Sequence, residues 1–421
     1  MVMAMPRDSG TFELHRAAWV VPVATPPLAN GAVLVEGGRI VAVDPYPALA
    51  AEIPPGTRII DHGDAAIMPG TVNAHTHLEL TPLAGQIPLP QPGFPAWLRQ
   101  MLPLRASLPP EAACTGILTA AEQLRESAVA ACGDVTVHHR VDAFNPTVVT
   151  RHAFLELLGF NVHSLDAALP ATNYRSFSGD SHNTHPLSLA AHAPYSTSPD
   201  LIRAAKGWDR HRGLPFSIHT AETEEELQFL QNGTGFFREL LQTLGRWAPT
   251  WEAPDMSPVA YLDRLGVLDE LTLLVHAVHL DRSDWSTVAQ RGCSVCFCPR
   301  SNAQLQVGRP NMEAAHEAGI PTALGTDSLA SNRDLSIFHE AAYVLDHYPL
   351  IPPQQVLHMA TLGGAHALML DKDFGSIEPG KRAALLAVQL PHDITSQVLM
   401  ATVIQQGSQG AWQWVATPQL D

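Results

Sequence analysis

Four short stretches of this chain set histidines and carboxylates at spacings that could share one chemical task. They are Asn73-Ala-His75-Thr-His77, His219-Thr-Ala-Glu222, His276-Ala-Val-His279 and Gly325-Thr-Asp327-Ser328. Each follows an apolar run of β type by zero or one residue. Residues two apart on an extended strand point the same way, so His75 and His77 can aim at one ion. An isolated His-x-His pair says little; the set says more. Neutral imidazoles from His75, His77 and His219 with the carboxylate of Asp327 make a nitrogen/oxygen donor set suited to one Zn²⁺ or Fe²⁺, with a position left for water. A metal lowers the pKa of that water toward neutrality, which yields a hydroxide nucleophile at physiological pH. Glu222 stands three residues beyond His219 and can face the same water as a proton shuttle. It also reads as a helix-start carboxylate favoured by the helix dipole. His276 either binds the ion or hydrogen-bonds a leaving group, and His279 reads equally as functional or as a satisfied structural histidine.

Rival motifs fail on their spacing. His339-Glu-Ala-Ala is followed by Tyr343 where a zincin helix needs histidine. His77-Leu-Glu79 matches the first half of the small cytidine-deaminase signature, but Cys293-Ser-Val-Cys296 is preceded by Gly292 rather than proline. Those cysteines read as buried core thiols. Neither a glycine-rich phosphate loop nor an exposed-serine elbow is present.

The elements that must position these groups follow from periodicity. Eight short apolar runs occur between Ala65 and Leu370: Ala66–Val72, Asp134–Val137, Phe154–Val162, Leu187–Ala191, Pro215–Ile218, Leu271–Val275, Ser294–Phe297 and Thr322–Gly325. Segments at helical spacing lie between many of them, including Glu111–Cys132, Ser198–Lys206, Glu222–Leu230, Asn311–Ala318 and Leu335–Leu345. This alternation predicts an α/β fold, a (β/α)8 TIM-like barrel over residues 66–371, whose chemistry sits on the loops after the carboxyl ends of the strands. The Pro-rich piece Pro82–Pro95 reads as a long ordered loop. Runs of β type near both ends, Trp19–Val23, Ala32–Glu36 and Arg39–Val43, then Ala383–Val388 and Met400–Gln405, predict a small β-sandwich built from residues 1–65 and 372–421.

Composition narrows the partners. Lys plus Arg number 25 and Asp plus Glu 41, so the net charge is 25 − 41 = −16 with histidine neutral. Such a surface repels phosphate, which disfavours nucleic acid and anionic membranes. No stretch reaches the ~18 charge-free apolar residues of a membrane span, and nothing near Ala17–Ala24 reads as a signal peptide. Five cysteines, three of them within Cys293–Cys298, do not suit a disulfide framework. The expectation is a soluble cytoplasmic protein acting on a small molecule. The 21 histidines, in a chain with only 16% charged residues, suit a metal-centred catalyst.

The longer motifs resemble a known family. Pro69-Gly-Thr-Val-Asn-Ala-His-Thr-His77-Leu-Glu-Leu, His219-Thr-Ala-Glu222, Val275-His-Ala-Val-His-Leu280, Cys298-Pro-Arg-Ser-Asn302 and Leu324-Gly-Thr-Asp-Ser-Leu-Ala-Ser-Asn332 are similar to the amidohydrolase superfamily, in its branch of mononuclear-metal deaminases and chlorohydrolases. The resemblance spans nearly the whole chain, including the Gly375–Lys381 turn. It implies one divalent metal, zinc before iron, on His75, His77, His219 and Asp327, with Glu222, His276 and Asp327 in catalysis. It also implies that His192, in Ala191-His-Ala-Pro-Tyr195, contacts substrate, although His192 reads as well as a cap for the helix near Ser198. Asn302 would line the site. Binuclear members carry a lysine after the fourth strand; Leu187–Ser196 holds none, which argues for one metal. Ala384 replaces the family's usual acidic residue after the Lys381 turn. Within the branch the chain is similar to aminodeoxyfutalosine deaminases, through a Pro-rich loop ending in Phe94-Pro-Ala-Trp97-Leu-Arg99. There Trp97 would offer a face to a purine and Arg99 a charge to a carboxylate; simple packing on the barrel rim is the alternative. The implied reaction is hydrolytic deamination of an amino-purine nucleoside, with 6-amino-6-deoxyfutalosine preferred. Guanine, S-adenosylhomocysteine, a triazine chlorohydrolase and, remotely, a non-catalytic scaffold stay open. A homodimer is the assembly the resemblance suggests.

Overall fold

The computed structural model describes residues 12–137, 149–169 and 187–416. Eight parallel strands succeed one another in chain order within one sheet: β6 (Thr71–Thr76), β7 (Val129–Thr136), β8 (Thr150–Leu157), β9 (Leu187–Ala191), β10 (Phe216–Thr220), β11 (Thr272–His276), β12 (Ser294–Phe297) and β13 (Thr322–Leu324). Parallel neighbours need crossover connections, and helices such as Pro110–Glu126, Pro199–Arg212, Arg282–Arg291 and Ile337–His347 supply them. All eight apolar runs contribute residues to this sheet, which is the TIM-like barrel the alternation predicts.

The seam between the last and first strands closes through side chains. Asn73 Nδ2 donates to Thr326 Oγ1 at 2.7 Å, and Thr326 N donates back to Asn73 Oδ1 at 3.1 Å. The backbone nitrogens of Thr326 and Asp327 both reach the carbonyl of His75 at 3.1 Å. Gly325 lies so close to β6 that a Cβ there would stand 2.9 Å from His75 Cβ and 2.8 Å from Cys296 Sγ. Only glycine fits this crossing.

The terminal segments form a seven-stranded mixed sheet. β1 (Glu13–Val20), β2 (Leu28–Glu36), β3 (Arg39–Pro45), β4 (Arg58–Asp61) and β5 (Ala65–Pro69) come from the start of the chain, β14 (Leu385–Gln389) and β15 (Trp412–Ala416) from its end. Their order is β15-β14-β5-β1-β2-β3, with β4 beside β1. The edge strand β3 is tied to the turn that precedes β14: Ile40 N donates to Lys381 O at 2.9 Å and Gly380 N to Ile40 O at 2.8 Å. Val33, Val35, Ile67, Leu385 and Ala387 belong to one buried cluster on this sheet. Residues 1–11 and 417–421 of the expected sandwich lie outside the described residues.

Four local expectations are corrected. The run Ala66–Val72 is two strands, because the chain passes from the terminal sheet to the barrel at Gly70, where a Cβ would stand 2.8 Å from both Ala130 and the Trp414 ring. The expected helix Glu111–Cys132 stops at Glu126, and Ala128, at φ 67°, turns the chain into β7. Its small residues Ala130, Ala131 and Cys132 carry no strand signature of their own. Met400–Gln405 is not a strand but part of the helix Leu399–Ser408, since Met400, Val403, Ile404 and Gly407 share one helical face. Lastly, Phe94 opens the helix Phe94–Ser107 rather than closing a loop. No helix among the described residues is long and apolar enough to cross a membrane.

Candidate active site

The barrel's inward columns set the site. On β8, Leu155 and Leu157 pack outward under the helices, while Phe154 joins the inner cluster with Ala190, Leu273, Val275 and Cys296. Alternation therefore stacks His152, Phe154 and Glu156 inside the barrel, with Glu156 uppermost. By the same rule His219 tops β10 and His192 follows β9.

At the mouth, His219 Nε2 stands 3.3 Å from His75 Nε2 and 3.4 Å from His77 Nε2. Asp327 Oδ1 lies 3.7 Å from both His75 Nε2 and His77 Nε2. Donor atoms about 2.0–2.1 Å from a zinc ion stand about 3.3–3.4 Å apart in a tetrahedron, so the three imidazoles have the spacing of a metal cradle. Their orientation agrees. His219 Nδ1 donates to the carbonyl of His192 at 2.6 Å, which leaves its Nε2 lone pair facing the cluster. Asp327 Oδ2 accepts from Ser301 Oγ at 2.8 Å and Ser331 Oγ at 2.7 Å, which turns Oδ1 inward. Burial, then neighbouring imidazoles, hold His77 and His219 well below the ordinary histidine range, in the neutral form a metal needs. Burial raises the Asp327 carboxyl, but contact with His75 and the electrostatic pull of the neighbouring His276 and His77 rings outweigh it and keep it ionised.

His276 and Glu222 flank this cradle, with His276 Nε2 and Glu222 Oε1 3.6 Å apart. His276 Nδ1 donates to Asn302 Oδ1 at 3.0 Å, so Nε2 is left as an acceptor. Burial lowers the His276 pKa to about 4 despite Asp327, and the ring is neutral at pH 7. Burial first, then the charges of Asp327 and Glu226, push the Glu222 carboxyl well above its usual range and favour the form that can give a proton. Glu226, wholly buried, accepts the backbone N–H of Glu222 at 3.0 Å, and burial raises its own pKa to about 8. The turns that present these groups are strained: Ala221, His276 and Asp327 hold φ of 51°, 73° and 57°. Each such non-glycine residue costs about 1–3 kcal/mol, and such strain clusters where function requires a particular aim.

The pocket above the cradle is lined by His77, Glu222, His276 and Asp327 together with Trp97, Met101, Arg105, Glu156, His192 and Tyr195. Trp97 Nε1 is pinned to the carbonyl of Ala330 at 2.8 Å. His192 Nδ1 bonds Ser196 Oγ at 2.6 Å, and burial, then Arg105, lowers its pKa to about 3. Two expected contacts are corrected. Arg99 is exposed and stacks over Phe236 at 5.1 Å, outside the pocket. On a helix, positions two apart face different ways, whereas Trp97, Met101 and Arg105 at i, i+4 and i+8 share a face. Asn302 is buried behind His276 and orients that ring instead of lining the pocket. His279 is structural, with Nε2 on the carbonyl of Val307 at 2.7 Å. Sequence reasoning missed Arg105, Glu156, Glu226 and Tyr195. An acid inside the apolar run Phe154–Leu157 was the one available signal.

Known proteins are similar to this chain over most of its length. The amidohydrolase family model matches residues 66–410, and an imidazolonepropionase-like composite domain of bacteria matches residues 31–52. A 5-methylthioadenosine/S-adenosylhomocysteine deaminase of Moorella thermoacetica is 29% identical, covering 91% of this chain and 88% of its own. An aminodeoxyfutalosine deaminase of Deinococcus radiodurans is 30% identical over 79% of this chain and 80% of its own. The crystal structure of a Xanthomonas campestris adenosine deaminase with bound zinc superimposes with a TM-score of 0.75 at 27% identity, over 93% and 89% of the two chains. The chain belongs to the amidohydrolase family and is a hydrolase acting on carbon–nitrogen bonds other than peptide bonds.

Proposed function

We propose that the protein deaminates an adenine-type nucleoside by hydrolysis, with one zinc ion held by His75, His77, His219 and Asp327. The observation that carries this reading is the placement of Glu222, whose raised carboxyl can give a proton, and of neutral His276, 3.6 Å apart beside the three-imidazole cradle. When bound, the ion would supply an activated water at neutral pH. Asp327 Oδ1, turned toward the cradle by the serine bonds to Oδ2, would accept a proton from the attacking water. His276 Nε2 accepts a hydrogen bond from the same water and fixes its approach. Glu222 delivers a proton to the ring nitrogen next to the amine-bearing carbon. Water adds to that carbon, Asp327 passes its proton to the amine while Glu222 takes one back from the new hydroxyl, the carbon–nitrogen bond breaks, and ammonia leaves with the ring oxidation state unchanged. A chlorohydrolase needs no proton on its leaving group, so the two proton carriers, Asp327 and Glu222, favour the amine.

The preferred substrate is 6-amino-6-deoxyfutalosine, supported by the Deinococcus relative and by an aromatic and aliphatic pocket wall suited to a nucleoside with an aryl substituent. Methylthioadenosine and S-adenosylhomocysteine are the second reading, on the strength of the Moorella relative. The test is ammonia and chloride release by metal-loaded enzyme from these three compounds, adenosine, guanine, cytosine and a chlorotriazine. Ammonia from aminodeoxyfutalosine is the expected result. Turnover of another amine alone overturns the substrate; chloride release without ammonia overturns the deaminase reading.

A further inference from the structure

Glu156 is a buried acid that is only half used by the fold. Its side chain is 1% exposed, and its Oε1 is buried without a hydrogen-bond partner among the described residues. Its Oε2 reaches Arg105 Nη2 only at 3.4 Å. Glu79 already serves that guanidinium: Oε1 lies 2.7 Å from Arg105 Nη2, while Oε2 accepts from Thr136 Oγ1 at 2.8 Å and Val137 N at 2.9 Å. One cation thus faces two acids, and Glu79 is the one whose oxygens are all engaged. A buried, unsatisfied acceptor costs stability, and such an atom in a native fold calls for an explanation. The orphan belongs to a side chain that lines the pocket. A ligand atom of Glu156 also lies within 4.8 Å of ligand atoms of both His192 and His219. His192 bonds Ser196 through Nδ1 and His219 turns Nε2 to the cradle, and neither ring makes a hydrogen bond to Glu156 Oε1.

We infer that Glu156 is a specificity-determining residue whose free oxygen accepts a hydrogen bond from a hydroxyl on the sugar of the substrate. The inference rests on the nucleoside reading above. Glu222 and His276 occupy the side of the cradle where the ring reacts, whereas Glu156 stands on the His192 side, where the rest of a bound nucleoside must lie. A site built to satisfy a polar group rejects the analogue that lacks it, because its own acceptor is left bare. The contact is the same before and during reaction, so it acts on KM and leaves kcat.

The test compares adenosine, 2′-deoxyadenosine and 3′-deoxyadenosine as substrates of the full-length, metal-loaded enzyme and of its Glu156→Leu and Glu156→Gln variants. For the wild type, one deoxy compound shows a KM raised ~10–100-fold, as leaving a buried acceptor without its partner predicts. In Glu156→Leu the KM for adenosine rises to meet that value, the deoxy KM stays put and kcat moves less than ~3-fold. Glu156→Gln, which keeps an acceptor, falls between. Unchanged discrimination in Glu156→Leu overturns the inference while the deaminase reading stands. Failure of wild-type enzyme to release ammonia from any nucleoside overturns both. Thermal melting supplies a readout independent of substrate. Glu156→Leu melts no lower than wild type if the oxygen serves a ligand; a drop of several degrees identifies Glu156 as a structural counter-ion of Arg105 and overturns the inference.

Discussion

At the residue scale, Glu222→Gln separates proton delivery from ligation, since it keeps shape and burial while removing the acid. Turnover should fall ~10²–10⁴-fold with metal content unchanged. His75→Ala should lower metal content and rate together, and elemental analysis of the two variants distinguishes them. A full metal complement in His75→Ala would remove that imidazole from the cradle. His152, deep in the same barrel, gives a pH test away from the mouth. Its Nε2 bonds Ser188 Oγ at 2.8 Å, and burial lowers its pKa to about 3. The folded state therefore binds fewer protons than the unfolded state between about pH 6.5 and 3. The stability that neutral His152 contributes is complete above pH 6.5 and is lost as pH falls through that window, by a few kcal/mol in all. His152→Gln should flatten the acid slope of stability in denaturant titrations from pH 7 to 4, and an unaltered slope would count against a neutral His152. The four imidazoles at the mouth and their carboxylates were legible because their types are rare and their strand-end spacing is specific. Glu156 and Glu226 were not, because a lone acid has no spacing to be read from.

At the scale of elements, the helix Phe94–Ser107 decides which of its arginines matters. Arg99→Ala should leave kcat/KM and stability within about 0.5 kcal/mol of wild type, because its guanidinium only covers Phe236 at the surface. Arg105→Leu removes the cationic partner of buried Glu79, and breaking such a pair costs on the order of 3–5 kcal/mol. A melting comparison of the two checks the assignment; equal effects would place both residues on one face. The prolines between Pro82 and Pro95 made the start of this stretch look like the end of a loop. Pro95 in fact sits in the first turn, where its missing N–H costs nothing. The same limit applies to Met400–Gln405, whose β-branched residues outweighed a helical period that needs Gly407 to become visible. Strand existence was legible from apolar runs; strand ends were not, since Ala128 and Gly70 act through contacts with distant parts of the chain.

At the scale of the whole molecule, the cradle draws His75 from β6, His77 from the residue just after it, His219 from β10 and Asp327 from the turn after β13, so a bound ion spans the seam at which the barrel closes. Asn73, Thr326 and the carbonyl of His75 already join the two strands, and Gly325 permits their approach. A ligand that binds only the folded state stabilises it by RT ln(1 + [L]/Kd), about 2.7 kcal/mol when free metal is a hundred times Kd and about 4.1 at a thousand times. At about 2–4 °C per kcal/mol for a large domain, removal of metal by a chelator should lower the melting temperature by ~5–15 °C. The loss should be concentrated at the seam. Hydrogen exchange should show β6 and the Thr326–Asp327 turn losing protection, while the terminal sheet around Val33, Ile67 and Leu385 keeps it. Re-addition of zinc should restore both the melting temperature and the protection. A chelated protein that melts as before, with the seam still protected, would mean that the four side chains do not jointly hold a metal.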